Sequence, residues 1–286
     1  MKITAATTHS LRIPQGTPDS LRLTALSHGW INLDPFSWDD EAETVSTRIL
    51  LPSKKTATVT VRQQDSRRLA VAARSSGGLT EGDKSFIAGS VRRVLALDQD
   101  MTEAYRLALE LDKSVARLLE RGGGRLLKSP SLWEDAVKAL FTTNASWGFS
   151  QSMARNLIEE FGTDGAFPPP SSLAGVSESV LRKRCRIGYR ARYLAGIAER
   201  WLSAPDPDSL AFGRLPGLGP YGSAHLRALA GDYSQIPIDS EVRQYCRERL
   251  GCKSDEQIVR KFSPWGRFAF LGYKLARQAR RVNWIG

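Results

Sequence analysis

The feature that most narrows the fold is a change of hydrophobic period near residue 95. Upstream, Thr56-Ala57-Thr58-Val59-Thr60-Val61-Arg62 sets Ala and Val against threonines with period two, the mark of a strand with one solvated face. Ser20-Leu21-Arg22-Leu23-Thr24-Ala25-Leu26 alternates in the same way, and Arg68-Leu69-Ala70-Val71-Ala72 is a short apolar cluster. Turn residues punctuate the region at Pro14-Gln15-Gly16 and Ser76-Gly77-Gly78. Downstream, the spacing becomes helical. Ala104, Leu107, Ala108 and Leu111 share one face, as do Val115, Leu118 and Leu119, and then Trp133, Ala136, Leu140 and Phe141. Loops follow at Pro168-Pro169-Pro170-Ser171-Ser172 and Ser203-Ala204-Pro205-Asp206-Pro207. The expected class is α+β, with a β-rich N-terminal domain over 1–95 and a mostly helical domain over 96–286.

Charge narrows the choice of partner. The 286-residue chain has a formal net charge of +11. Residues 181–286 hold 20 Lys/Arg against 9 Asp/Glu, an excess of +11 that equals the total, so the first 180 residues sum to zero. A basic segment suits a polyanion, because each phosphate contact releases condensed counterions. A solvated basic surface would account for the charge equally well. No apolar run reaches the roughly 18 residues needed to span a bilayer, and Met1-Lys2-Ile3-Thr4-Ala5-Ala6-Thr7-Thr8-His9 lacks the apolar core of a secretory signal. Cys185, Cys246 and Cys252 match no zinc or iron–sulfur spacing and read as packing residues suited to a reducing cytosol. A cytoplasmic location is expected, at the nucleoid in a bacterium, with no metal, iron–sulfur cluster or membrane partner.

Leu215-Pro216-Gly217-Leu218-Gly219-Pro220-Tyr221-Gly222-Ser223-Ala224 lies between two helical stretches. Its glycines allow a tight turn and a close approach by a partner. The amides that open the next helix, with the helix dipole, favour an anion such as phosphate. An ordinary helical hairpin would also fit this stretch. Further on, Gln235-Ile236-Pro237-Ile238-Asp239-Ser240-Glu241-Val242-Arg243 places Asp239 at the start of a helix. It is an N-cap by position, a role compatible with a functional carboxylate because a helix N-terminus favours the anionic form.

The Leu-Pro-Gly-x-Gly hairpin followed about twenty residues later by Pro-Ile-Asp resembles the helix-hairpin-helix (HhH-GPD) DNA glycosylase superfamily. Trp133-Glu134-Asp135 leading to Phe141-Thr142-Thr143-Asn144, and Gly188-Tyr189-Arg190-Ala191-Arg192-Tyr193, resemble segments of the 8-oxoguanine DNA glycosylases. Pro264-Trp265-Gly266-Arg267 is similar to the last-helix region of those enzymes and of the 3-methyladenine DNA glycosylases II, while Pro35-Phe36-Ser37-Trp38 fits their β-domain more loosely.

The resemblance implies a monomeric enzyme that binds double-stranded DNA and flips a modified nucleotide out of the stack, because the glycosidic bond is unreachable inside it. Asp239 would stabilise positive charge on the sugar and position a water. Gly217, Leu218, Gly219, Tyr221, Gly222, Ser223 and Arg190 would contact DNA. Asn144 and Tyr189 would wedge the gap, unless they are a helix cap and a packed helix-end aromatic. Tyr221, His225, Phe270, Lys274 and Leu33 would line the base pocket, unless Lys274 is a surface lysine. Tyr221 stands where bifunctional relatives carry a Schiff-base lysine, so base release without strand cleavage is expected. Phe270, Lys274 and Leu33 replace residues that read 8-oxoguanine, which argues against that base; an alkylated base is expected instead, or, because His225 and Lys274 would make the pocket polar, a bulky modified pyrimidine such as glucosylated hydroxymethylcytosine, in repair or in defence against modified foreign DNA. No cofactor is required, although the hairpin carbonyls would hold a monovalent cation. The alternative is a catalytically silent DNA-binding protein that keeps the hairpin.

Overall fold

A computed structural model describes residues 5–12 and 20–282. The chain start Met1–Thr4 and the expected Pro14-Gln15-Gly16 turn lie outside the described residues. The class is α+β: an antiparallel sheet followed by helices. The strands are β1 (Ala5–Arg12), β2 (Ser37–Asp39), β3 (Thr44–Leu50), β4 (Thr56–Asp65) and β5 (Arg68–Ser75), in the order β1-β5-β4-β3-β2. The period-two pattern of β4 works as expected. Ala57, Val59 and Val61 are buried, and Val61 sits between Val45 of β3 and Val71 of β5, so one inward row crosses the central strands.

Ser20–Leu26 is not a strand. Residues Leu21–Ala25 form helix α1, whose first turn is capped by the Ser20 hydroxyl accepting from the Leu23 N–H at 3.2 Å. Leu21, Thr24 and Ala25 are the buried positions, a helical spacing that seven residues of alternating polarity cannot be told from. Strand β1, with little apolar content, carried no periodic signal.

Eleven further helices follow among the described residues: α2 (Glu81–Val94), α3 (Thr102–Leu111), α4 (Lys113–Glu120), α5 (Leu132–Thr142), α6 (Trp147–Phe161), α7 (Glu178–Cys185), α8 (Ala191–Ser203), α9 (Pro220–Ala230), α10 (Ser240–Leu250), α11 (Asp255–Phe262) and α12 (Ala269–Val282). Helix α2 lies inside the stretch expected to be β-rich. A capping box starts it, with the Thr80 hydroxyl accepting from Asp83 N and the Asp83 carboxylate from Thr80 N.

Packing does not break at residue 95. One apolar core joins the sheet, α2–α4 and residues up to Leu127 to the C-terminal helices from Ala228 onward. A second core runs from Leu132 to Leu226. The chain leaves the first core, builds the second, and returns. Cys185, Cys246 and Cys252 are buried, unpaired thiols within these cores. Among the described residues, no helix is long and apolar enough to cross a membrane, and no cluster of His, Cys, Asp and Glu is arranged to hold a metal ion.

The seam between the cores is tied by the fully buried carboxylate of Asp135 on α5. One oxygen accepts from the Trp30 indole at 2.8 Å and the Ser129 N–H at 2.9 Å; the other accepts from Arg93 at 2.7 Å. Next to it, buried Lys138 pairs with Glu134 at 2.7 Å and lies 4.7 Å over the Phe36 ring. Removing one member of such a network strands the others without partners. Asp135→Ala is expected to lower stability by about 3–5 kcal/mol in denaturant unfolding. A loss under about 1 kcal/mol would show that the carboxylate does not hold the seam.

Candidate active site

A cleft of about 610 Å³ opens along this seam. Its wall draws on the loop and turn at Leu26–Asn32, the end of α5, the start of α6, helix α9, the start of α10, and α12. Both cores therefore contribute to one cavity.

The hairpin before α9 turns at Gly217, whose φ of +79° lies in the left-handed region. A Cβ there would sit 2.6 Å from the Tyr193 ring and 2.8 Å from Leu140, so glycine is required twice over. Gly219 is different. Its backbone is extended, and a Cβ would meet nothing within 4 Å. The fold does not need this glycine; its missing side chain leaves the start of α9 open, where no side chain caps the helix. Leu218 and Gly222 turn inward and are buried, so neither presents a side chain to a partner. The Ser223 hydroxyl donates to the Leu218 carbonyl at 3.3 Å.

In the first turn of α9, Tyr221 lines the cleft beside Asp239. Burial, the Asp239 and Glu241 charges and a hydrogen bond to Asp239 push the Tyr221 phenol well above its ordinary value, so it stays protonated. Asp239 caps α10, accepting from the Val242 N–H at 2.7 Å, and also lines the cleft. Asp239 is thus the N-cap that its position implies, and the cap leaves it on the cleft wall. Opposite lie Phe270, Tyr273, Lys274 and Arg277 of α12. The Lys274 ammonium stands 5.8 Å over the Phe270 ring. Burial and the Arg277 and Arg281 charges push it down to about 8 against the pull of Glu241 and Asp239. Lys274 is a half-buried cleft residue, not a solvated surface lysine.

His225, one turn beyond Tyr221, is buried on the cleft floor against residues that carried no sequence signal. His28 lies 3.0 Å away, Nε2 to Nε2, and the Trp30 ring packs against both imidazoles at 4.2 and 5.0 Å. Trp147 closes another side; its ring comes so near Gly29 that a Cβ there would lie 2.8 Å from it. His28, Trp30 and Trp147 come from segments distant from the hairpin, and only folding brings them together.

Two expected site residues fall elsewhere. Leu33 is fully buried in the first core and does not line the cleft, which Gly29, four residues earlier, does. The turn at Gly29–Asn32 directs Leu33 inward. Arg190 is 2% exposed and so is no surface contact for DNA. Its guanidinium donates to the carbonyls of Leu140 (3.2 Å), Thr143 and Asn144 (3.2 Å), closing the end of α5. That clamp holds Asn144 at φ +45° and leaves its side chain exposed. Tyr189, 41% exposed, stands over the same guanidinium at 4.7 Å. Trp147 and Phe149 are similarly exposed at the start of α6, adding aromatic surface that the sequence reading missed.

No protein-family model matches the chain, and no curated protein does. Solved structures do. A 3-methyladenine DNA glycosylase from Archaeoglobus fulgidus superposes with a TM-score of 0.72 at 18% identity, over 94% of this chain and 98% of that one. The apo form of an 8-oxoguanine glycosylase/lyase from Clostridium acetobutylicum gives 0.69 at 14% identity, over 98% and 100%. The same enzyme bound to double-stranded DNA with cytosine opposite 8-oxoguanine gives 0.67 at 16%, over 99% and 100%. Coverage on both sides is nearly complete, and the chain therefore has the fold of these DNA glycosylases.

Proposed function

We propose that the protein is a monofunctional DNA glycosylase, which draws a modified base from duplex DNA into the seam cleft and hydrolyses its N-glycosidic bond. The observation that carries this reading is the convergence of Asp239 and helix α9, which the glycine hairpin leads into, on one cleft large enough for a nucleotide. In the reaction the C1′–N bond breaks and its electron pair leaves with the base, which takes up a proton. The Asp239 carboxylate stabilises the positive charge developing on the sugar. Water then adds its oxygen to C1′ and releases a proton. Gly219 leaves the opening of α9 free for a backbone phosphate. Asn144 and Tyr189, held by the Arg190 clamp, fill the gap in the duplex, and Trp147 and Phe149 extend that aromatic face. The Leu215 and Leu218 carbonyls keep lone pairs for a monovalent cation, which would offset phosphate charge there.

The cleft has room for a flipped nucleotide with a modified base, and its walls are polar. About 610 Å³ falls within the range of about 300–1,000 Å³ that encloses drug-sized ligands. Lys274, Arg277 and Glu241 give it charged walls. An alkylated base or a bulky modified pyrimidine, glucosylated hydroxymethylcytosine among them, suits these walls, in repair or in defence against modified DNA.

Base release from a panel of duplexes, each carrying one altered base, tests the reading. Asp239→Asn is expected to slow release by about 10²-fold or more; release at the wild-type rate would make Asp239 only a helix cap, and release from no duplex would leave a DNA-binding protein. Because Tyr221 offers no amine, borohydride should trap no covalent enzyme–DNA adduct. An adduct that disappears in Lys274→Met would instead make Lys274 the nucleophile of a lyase.

Lys274 also predicts a pH signature. Its folded value near 8 lies below the unfolded value of 10.5, so the unfolded chain holds more protons between them. This group therefore penalises the fold while charged, and stability rises as pH passes 8 toward 10.5. Lys274→Met is expected to raise the thermal midpoint at pH 7 and flatten that rise. Lys128, also pushed down to about 8, retains part of it. An unchanged pH profile would mean that Lys274 is solvated in the folded protein.

A further inference from the structure

Two neutral histidines on the cleft floor form a chain whose proton order is fixed from one end. His28 Nδ1 lies 3.1 Å from the Leu127 carbonyl oxygen, which can only accept, so Nδ1 carries the hydrogen. Burial, with the Lys274 charge beside it, holds His28 well below its ordinary value. Burial and Lys274 push His225 down to about 3. Both rings are neutral at pH 7, and each carries one hydrogen. His28 Nε2 is then a lone pair, and the hydrogen of the 3.0 Å contact belongs to His225 Nε2.

The consequence falls on the last atom of the chain. His225 Nδ1 is left without a hydrogen. It is buried in a residue 6% exposed that lines the cleft, and it has no hydrogen-bond partner among the described residues. Trp30 packs against both rings and is itself pinned by Asp135, which limits any reorientation that could reverse the order. A buried, unpaired acceptor penalises any occupant that fails to satisfy it. The Lys274 ammonium on the facing helix is a donor, so the floor is not symmetric in what it asks of an occupant.

We propose that His225 Nδ1 determines specificity, accepting a hydrogen bond from an N–H on the edge of the extruded base, with His28 as the positioning residue that fixes its tautomer. This rests on the glycosylase reading and deepens it. The favoured bases present an exocyclic amine or a protonated ring nitrogen at that edge; bases presenting only lone pairs are rejected.

Two measurements on the full-length protein test it. The sequence contains three histidines, His9, His28 and His225, so long-range ¹H–¹⁵N spectra at pH 7, assigned with His28→Phe and His225→Phe, resolve each tautomer. The expected result is Nδ1–H for His28 and Nε2–H for His225. A hydrogen on Nδ1 of His225 would overturn the proposal.

The second measurement compares base release from duplex pairs in which one member presents an N–H at that edge and the other does not: hypoxanthine, with its N1–H, against unsubstituted purine, and 5-hydroxymethylcytosine against its analogue lacking the 4-amine. The donor-bearing member should be released faster by about tenfold or more. His225→Phe should bring each pair within about twofold, while His225→Asn, whose side-chain oxygen accepts, restores part of the preference. Release that ignores the N–H overturns this inference alone. Release from no duplex removes the glycosylase reading and this inference with it.

Discussion

A single buried carboxylate, Asp135, holds the arrangement on which the cleft depends. Its partners come from three separate stretches of chain: Trp30 from the turn after α1, Arg93 from α2, and Ser129 from the link before α5. Burying a charge is unfavourable unless it is fully hydrogen-bonded, and here three donors meet that demand. The fold must therefore bring all of them to the N-terminal part of α5. That requirement fixes Trp30, Trp30 fixes the two imidazoles beside it, and the cleft floor follows. The first core and the second are thus registered by one polar centre, where apolar packing alone would tolerate sliding.

The same seam explains why the chemistry is divided among distant segments. The first core supplies α12 with Phe270, Tyr273 and Lys274; the second supplies the hairpin and the closed end of α5. Asp239 lies after the chain has rejoined the first core, between Ile238 and Val242 that pack there. A cavity built at such a junction has walls that were never one contiguous surface, so its polarity can be set independently on each side. Tyr221, with a phenol held protonated, stands beside Asp239, and the Lys274 charge acts on both imidazoles.

How much of this the sequence reveals differs by region, for physical reasons. The inward face of β4 and the helices α3, α4 and α5 were legible because burial imposes a period on their apolar residues. Asp239 and Gly217 were legible because cap and turn chemistry demand those residue types locally. Leu21–Ala25 escapes because short helical and strand patterns overlap, and Leu33 because no local pattern announces the turn at Gly29–Asn32 that directs it into the core. Arg190 illustrates the opposite failure. A basic residue in a basic segment looks like a phosphate contact, yet its guanidinium is spent on backbone carbonyls. The His28–His225 chain was illegible, since nothing local relates two residues that meet only through tertiary structure.

The central claim is that Asp239 meets positive charge on an extruded sugar. The most direct test compares binding to two duplexes, one carrying a cationic pyrrolidine in place of the sugar and one a neutral tetrahydrofuran at the same site. The account predicts that the cationic duplex binds about tenfold tighter or more, and that Asp239→Asn removes the difference. Equal affinity for the two duplexes in the unaltered protein would contradict it.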